Sequence, residues 1–132
     1  MLKFLLKSGK KLELDIAPIE TGLALYRSIL IECKNADLDL TIAEEDTILS
    51  VLLKNKEACL NVFSSESVLE AVKDCCAKVV YDKQRFSMDV FEKIENRKDF
   101  FPTMLIVAIE NIRPFFEEPH IILDAIQAQF LN

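Results

Sequence analysis

The stretch from residue 99 to residue 116 constrains the fold most, because no other part of the chain is as apolar for as long. Asp99 is placed to act as an N-cap whose carboxylate accepts from the first free backbone N–H groups, and Pro102 falls in the first turn. Pro114 must kink or end the helix near residue 113. We therefore predict a central helix over residues 99–113, enclosed by its neighbours. The side expected to be most buried carries Phe101, Met104, Leu105, Ala108, Ile109 and Ile112, followed by Phe115 or Phe116.

Residues 1–16 alternate between apolar and charged side chains on both sides of a turn formed by Ser8, Gly9 and Lys10. This period of two predicts a β-hairpin. Because an isolated two-stranded hairpin is marginally stable in water, its apolar face is expected to pack on helices. A second, short hairpin is expected near residues 79–88, where two extended pieces flank a polar turn.

Helical periodicity with capping signals covers most of the remaining chain. We expect a helix from Pro18 to about residue 35, a second after Thr41 that a polar run at residues 54–56 interrupts, and a third after Ser65. A last helix is expected over residues 119–131. A length of 132 residues corresponds to one domain. The predicted fold is α+β and mainly helical: a single domain in which the hairpin of residues 1–16 packs on a helical body of about five helices over residues 18–132.

The charge balance excludes some classes of partner. The chain has 22 acidic and 16 basic side chains, a net charge of −6, and its basic residues form no stripe on any predicted element. Nucleic acids and anionic membranes are bound through clustered lysine and arginine, so neither is expected.

The apolar part of the central helix is shorter than the ~20 residues that a bilayer requires, which favours a soluble, cytoplasmic protein. A hydrophobic share of 51% is high for a lone domain and favours a homo-oligomer or a bound partner.

No arrangement of reactive side chains indicates catalysis, a metal or a cofactor. The single histidine, His120, follows Pro119, and the acidic residues 44–46 are interpreted as a solvated helix cap. The cysteines form no Cys-x-x-Cys pair, so they are expected to be reduced thiols in the core: Cys33, Cys59, Cys75 and Cys76. We therefore expect no enzymatic activity, catalytic residue, metal ligand or cofactor.

Five short motifs form a pattern along the chain. They are Leu-x-Ser-Gly-Lys-x-Leu-x-Leu at residues 6–14, Tyr-Asp at 81–82, Phe-Glu at 91–92, Arg-x-Asp-Phe-Phe at 97–101 and Asn-Ile-Arg-Pro-Phe at 111–115. This pattern resembles that of small tail-assembly proteins of long-tailed phages of low-GC bacteria. Typical members have Gly after the Tyr-Asp pair, where this chain has Lys83. The motifs consist of packing and capping residues and contain no catalytic signature.

The resemblance implies a tail assembly chaperone that acts in the cytoplasm of the bacterial host. Its expected partner is a phage tail protein, the tape-measure or the tail-tube protein, whose apolar helical segments it would cover during tail morphogenesis. Pro114 and the apolar face of the last helix suggest the partner-binding residues Phe115, Phe116, Ile122, Ile126 and Phe130. Two alternatives stay open: a permanent structural subunit of the phage tail or neck, and a host-directed acidic module that inhibits a basic target.

Overall fold

The computed structural model describes residues 1–35, 56–116 and 121–131, without the side chains of residues 56–59, 121 and 122. Some sequence-based predictions fall outside these residues. They are the part before residue 56 of the helix predicted after Thr41, the acidic cap at residues 44–46, the Cys59 thiol, the start of the last helix at residue 119 and the position of His120.

Strands and helices both appear in the described ranges, with helices in the majority. The strands are β1 (Leu2–Leu5), β2 (Lys11–Leu14), β3 (Val79–Tyr81) and β4 (Gln84–Arg85). The helices are α1 (Ile19–Asn35), α2 (Lys56–Phe63), α3 (Glu66–Asp74), α4 (Ile94–Arg97), α5 (Phe100–Ile112) and α6 (Ile121–Ala128), with 3₁₀ helices at Met88–Glu92 and Arg113–Phe115. The predicted α+β, mainly helical fold is confirmed, as is each predicted hairpin.

The two hairpins form one antiparallel sheet with the strand order β1-β2-β3-β4. Leu12 pairs with Tyr81, and Leu14 pairs with Val79. All four side chains are fully buried in the hydrophobic core, so this face of the sheet is the one that the helices cover. The second hairpin was predicted within the helical body of residues 18–132, and its pairing with the first hairpin was not predicted.

The turn between β3 and β4 contains Asp82 and Lys83, whose φ angles are +47° and +67°. Both residues adopt the left-handed conformation of a two-residue type I′ turn. Gly is preferred at the second position of such a turn because a Cβ atom is strained there. Lys83 therefore occupies a position that favours Gly, the residue that typical members of the tail-assembly family have after the Tyr-Asp pair.

Replacing Lys83 with Gly is expected to raise the free energy of unfolding by about 0.5–1 kcal/mol. Gly has no Cβ atom and is not strained in the left-handed conformation, although it also raises the conformational entropy of the unfolded chain, which partly offsets the gain. Urea denaturation followed by circular dichroism measures this change. The control Lys83→Ala keeps the Cβ atom and is expected to give no gain. Equal stabilisation by both substitutions would show that backbone strain is not the cause.

Helix α5 forms the centre of the core. Residues 103–112 are all buried, and α1 and α3 both pack against this helix. The α-helix ends at Ile112, and Pro114 lies in the 3₁₀ helix that follows. Asn111 also holds the segment before α1, since its side-chain oxygen accepts a hydrogen bond of 2.8 Å from the Ala17 backbone N–H. The predicted central helix is confirmed to within one residue at each end.

Two details predicted for this helix are wrong. The Asp99 carboxylate makes no capping bond, because it accepts from the hydroxyl groups of Ser8 and Tyr81 instead. Phe101, which the helical spacing placed on the buried side, is 51% exposed. It lies two residues before the buried run of residues 103–112, where the neighbouring helices leave a gap.

The C-terminal helix α6 ends at Ala128 rather than at residue 131. Gln129 and Phe130 close a tight turn, with backbone N–H groups that donate to the carbonyls of Ile126 and Gln127. Leu131 then forms an antiparallel bridge with Leu6 at the end of the first hairpin strand. Pairing with the sheet thus replaces the last predicted turn of helix.

Candidate functional site

An open apolar groove lies between helices α2 and α5. We call it the Phe101 groove, and its volume is about 260 Å³. Ser64 contributes the only polar side chain among the residues that line it: Leu60, Phe63, Ser64, Phe101, Leu105 and Phe130. Leu60 and Phe63 are three residues apart on α2, and Phe101 and Leu105 are four residues apart on α5, so each helix presents one face to the groove.

The groove leaves large apolar side chains in water. Phe101 is 51% exposed and Leu60 is 44% exposed, whereas Phe63 and Leu105 are buried beneath them. Single exposed apolar residues are common on protein surfaces, but two helix faces that expose them across one concave site mark a place for another apolar surface. A groove between two helices is a geometry that can receive the apolar face of a further helix.

A second pocket adjoins the groove and differs in character. We call it the lysine pocket; its volume is about 450 Å³. It is lined by Leu6, Lys7, Ser8, Lys98, Asp99, Pro102, Gln129 and Phe130. The Phe130 side chain lines both pockets, and Pro102 of the lysine pocket directly follows Phe101 of the groove. The two pockets therefore form neighbouring halves of one site.

One stripe of the chain connects the two halves. Lys98 lies in the turn directly before α5, and Phe101, Pro102 and Leu105 follow on one side of α5. The helical part of this stripe, from Phe101 to Leu105, spans roughly 6 Å, or about one helical turn. Its first residue is basic and its last is apolar, so the site has a charged end and an apolar end.

A buried network of polar side chains supports the lysine pocket. The Tyr81 hydroxyl donates to Asp99 at 2.6 Å, and the Ser8 hydroxyl donates to the same carboxylate oxygen at 2.7 Å. Lys10 donates to the side-chain oxygen of Asn96, which also lies 3.3 Å from the Tyr81 hydroxyl. Burial, followed by the hydrogen bond to Asp99, raises the pKa of Tyr81 above its ordinary value near 10, so the phenol stays protonated as a donor.

The network joins three of the motifs that carry the family resemblance. Ser8 and Lys10 come from the first hairpin turn, Tyr81 from the Tyr-Asp pair, and Asn96 and Asp99 from the segment before α5. The motifs are distant in sequence, yet their polar side chains meet in one cluster that ties the sheet to the start of α5. Sequence reasoning interpreted these residues as separate turn and capping signals and missed the cluster.

A second network holds the C-terminal helix against α5. Arg113 lies 3.5 Å from the Glu110 carboxylate and donates to Asp124 at 2.5 Å and to Gln127 at 3.3 Å. Gln127 in turn donates to Glu110 at 2.9 Å, and both of these side chains are buried. This network fixes α6, and α6 positions Phe130 between the two pockets.

The five predicted partner-binding residues do not come together in one place. Phe115 and Phe116 are half-buried and pack on Tyr26 of α1, with ring centroids 5.1 and 5.7 Å apart. Ile126 is only 4% exposed and belongs to the core. Ile122 lies in α6, but its side chain is outside the described residues. Of the five, Phe130 lies in the site, and Phe101 and Leu60 were not predicted.

The buried cysteines offer no reactive thiol. Cys33, Cys75 and Cys76 lie in the core, as predicted. Burial, assisted by the charge of Asp74, raises the pKa of Cys75 to about 11. Burial likewise raises the pKa of Cys76 to about 12. Since the thiolate is the reactive form, these side chains act as apolar packing groups at neutral pH.

Comparisons with protein-family models, with curated proteins and with solved structures gave no match. Within the described ranges, no three His, Cys, Asp or Glu side chains are grouped so that they could hold a metal ion. No helix in the described part of the chain combines the length and the apolar composition needed to cross a membrane.

Proposed function

We propose that this protein is an assembly chaperone that covers an apolar helical segment of a phage tail protein in the cytoplasm of the bacterial host. The family resemblance supplies the identity of the client, for which the tape-measure protein is the first candidate. The Phe101 groove supplies the mode of binding. The protein acts by covering the client, without a chemical reaction.

The single observation that carries the proposal is the exposed apolar groove between α2 and α5. The exposed side chains of Phe101 and Leu60 both line this groove of about 260 Å³, together with the buried Phe63 and Leu105. A helix that inserts its apolar side chains here removes the groove and its own apolar face from water. This burial is the main favourable contribution to the free energy of binding in such complexes. The groove is short, so the affinity is modest and a polymerising tail can displace the chaperone.

Replacing Phe101 with Asp tests the proposal. The change puts a charge into the groove, and an unpaired charge opposes an apolar occupant. When the protein is co-expressed with the tape-measure protein of the same phage genome, we expect the wild type to raise the soluble fraction of the client and to co-purify with it. Phe101→Asp is expected to reduce co-purification at least about tenfold. The matched control is Ile94→Asp, because Ile94 is 82% exposed and lies outside the groove.

Two outcomes contradict the proposal. The first is a client whose solubility does not depend on the wild-type protein. The second is equal binding by Phe101→Asp and the wild type. Mass spectrometry of purified virions separates the chaperone from a permanent tail or neck subunit, since a chaperone is absent from the finished particle.

A further inference from the structure

The site has a charge pattern that restricts what can bind to it. Lys7 and Lys98 both line the lysine pocket, and neither forms an ion pair with a carboxylate in the described ranges. They sit on a chain whose net charge is −6, so this basic end is a local exception on an acidic protein. Two ammonium groups that no carboxylate of the described residues contacts attract a carboxylate from a ligand.

The acidic residue in the same pocket does not neutralise these lysines by direct contact. One oxygen of Asp99 accepts hydrogen bonds from both Ser8 and Tyr81, and the side chain is only 3% exposed. Lys7 and Lys98 are exposed and remain accessible to a bound molecule. The carboxylate belongs to the structural network beneath the pocket, and the lysines belong to its open side.

The Phe101 groove has the opposite character. Its lining is apolar except for Ser64. Because Lys98 lies in the turn directly before Phe101 and Leu105 of α5, the change from basic to apolar occurs within one to two helical turns. A ligand that matches both halves therefore carries acidic and apolar side chains on one face, one to two turns apart.

We infer that the site selects an amphipathic helix whose apolar anchors fill the Phe101 groove while acidic side chains, one to two turns away, pair with Lys7 and Lys98. This inference rests on the proposed function and adds the chemistry of the client segment. It excludes a polyphosphate ligand, since two lysines beside an apolar groove do not form the extended basic surface that nucleic acid requires.

The test uses a pair of designed helical peptides of about 15 residues with the same apolar stripe. One peptide carries two Glu residues in the turn before the stripe, and the other carries two Lys residues at the same positions. In fluorescence anisotropy at low salt, the Glu peptide is expected to bind the wild-type protein at least about fivefold more tightly. This preference is expected to vanish in Lys7→Glu/Lys98→Glu. The double variant Lys3→Glu/Lys93→Glu changes the net charge equally at exposed positions outside the site, and it is expected to keep the preference.

The outcomes separate this inference from the proposed function. If both peptides bind the wild type equally, or if the preference survives Lys7→Glu/Lys98→Glu, the charge selection is wrong. If Phe101→Asp still abolishes co-purification of the tape-measure protein in that case, the proposed function stands. A photo-crosslinker placed at residue 101 identifies the occupant directly. Crosslinks to a second copy, or to the chain's own residues 36–55, would overturn both the charge selection and the proposed function.

Discussion

Replacing Asp99 with Ala is expected to lower the free energy of unfolding by about 3 kcal/mol, because it removes two charge-assisted hydrogen bonds from a buried site. The Tyr81 hydroxyl donates to this carboxylate at 2.6 Å and the Ser8 hydroxyl at 2.7 Å. Without the carboxylate, the Tyr81 hydroxyl keeps only a 3.3 Å contact with Asn96. Equilibrium urea denaturation of the wild type and the variant measures the loss.

A double-mutant cycle shows whether the loss comes from the network. Tyr81→Phe alone is expected to cost about 1.5–2 kcal/mol, and combining it with Asp99→Ala is expected to cost about 1 kcal/mol less than the sum. The matched control is Asp89→Ala, which removes an exposed carboxylate and is expected to change stability by less than about 0.5 kcal/mol. Strictly additive losses would mean that Asp99 and Tyr81 act independently and that the cluster is not a unit.

Replacing Arg113 with Ala is expected to destabilise the protein by about 2 kcal/mol and to loosen α6 in particular. The substitution leaves the Glu110 carboxylate, which is 9% exposed, without its cation, and it removes the direct link from the 3₁₀ helix after α5 to Asp124. Breaking one partner of a buried ion pair is costly because the remaining charge stays desolvated. Hydrogen exchange is expected to rise more in residues 121–131 than in α5.

The chain offers a close control for this prediction. Arg97 pairs with Glu92 at 3.4 Å, but both side chains are largely exposed, so Arg97→Ala is expected to cost less than about 0.5 kcal/mol. If the two arginine variants lose the same stability, burial of Glu110 is not the reason for the effect. If Arg113→Ala leaves exchange in residues 121–131 unchanged, this network does not hold the C-terminal helix in place.

Local patterns were sufficient for both hairpins and for the longer described helices, but not for the short helix α4. The central helix followed from an apolar run between Asp99 and Pro114, and the first hairpin followed from alternating residues around Gly9. These signals depend on neighbours in sequence, so they can be recognised without knowledge of the tertiary structure. The pairing of β2 with β3 depends on which edges meet in space, and a sequence pattern does not encode that choice.

The candidate site was predicted less well for the same reason. Phe101 has the spacing of a core residue on α5, and only the gap beside α2 leaves it exposed. Asp99 stands at an N-cap position, but Tyr81 and Ser8 compete successfully for its carboxylate. Phe130 was predicted as a binding residue and does line the site, whereas Phe115 and Phe116 pack on Tyr26. Whether a side chain is covered depends on the neighbours that the tertiary fold brings to it.

The register of the sheet has a consequence for synthesis on the ribosome. Leu12 and Leu14 lie near the start of the chain, but their partners Tyr81 and Val79 emerge only after α1, α2 and α3 have been translated. Until then, the inner edge of the nascent hairpin has no strand to pair with, and its leucines lack their final cover. Completion of the sheet therefore waits for a non-local contact, and such contacts slow folding.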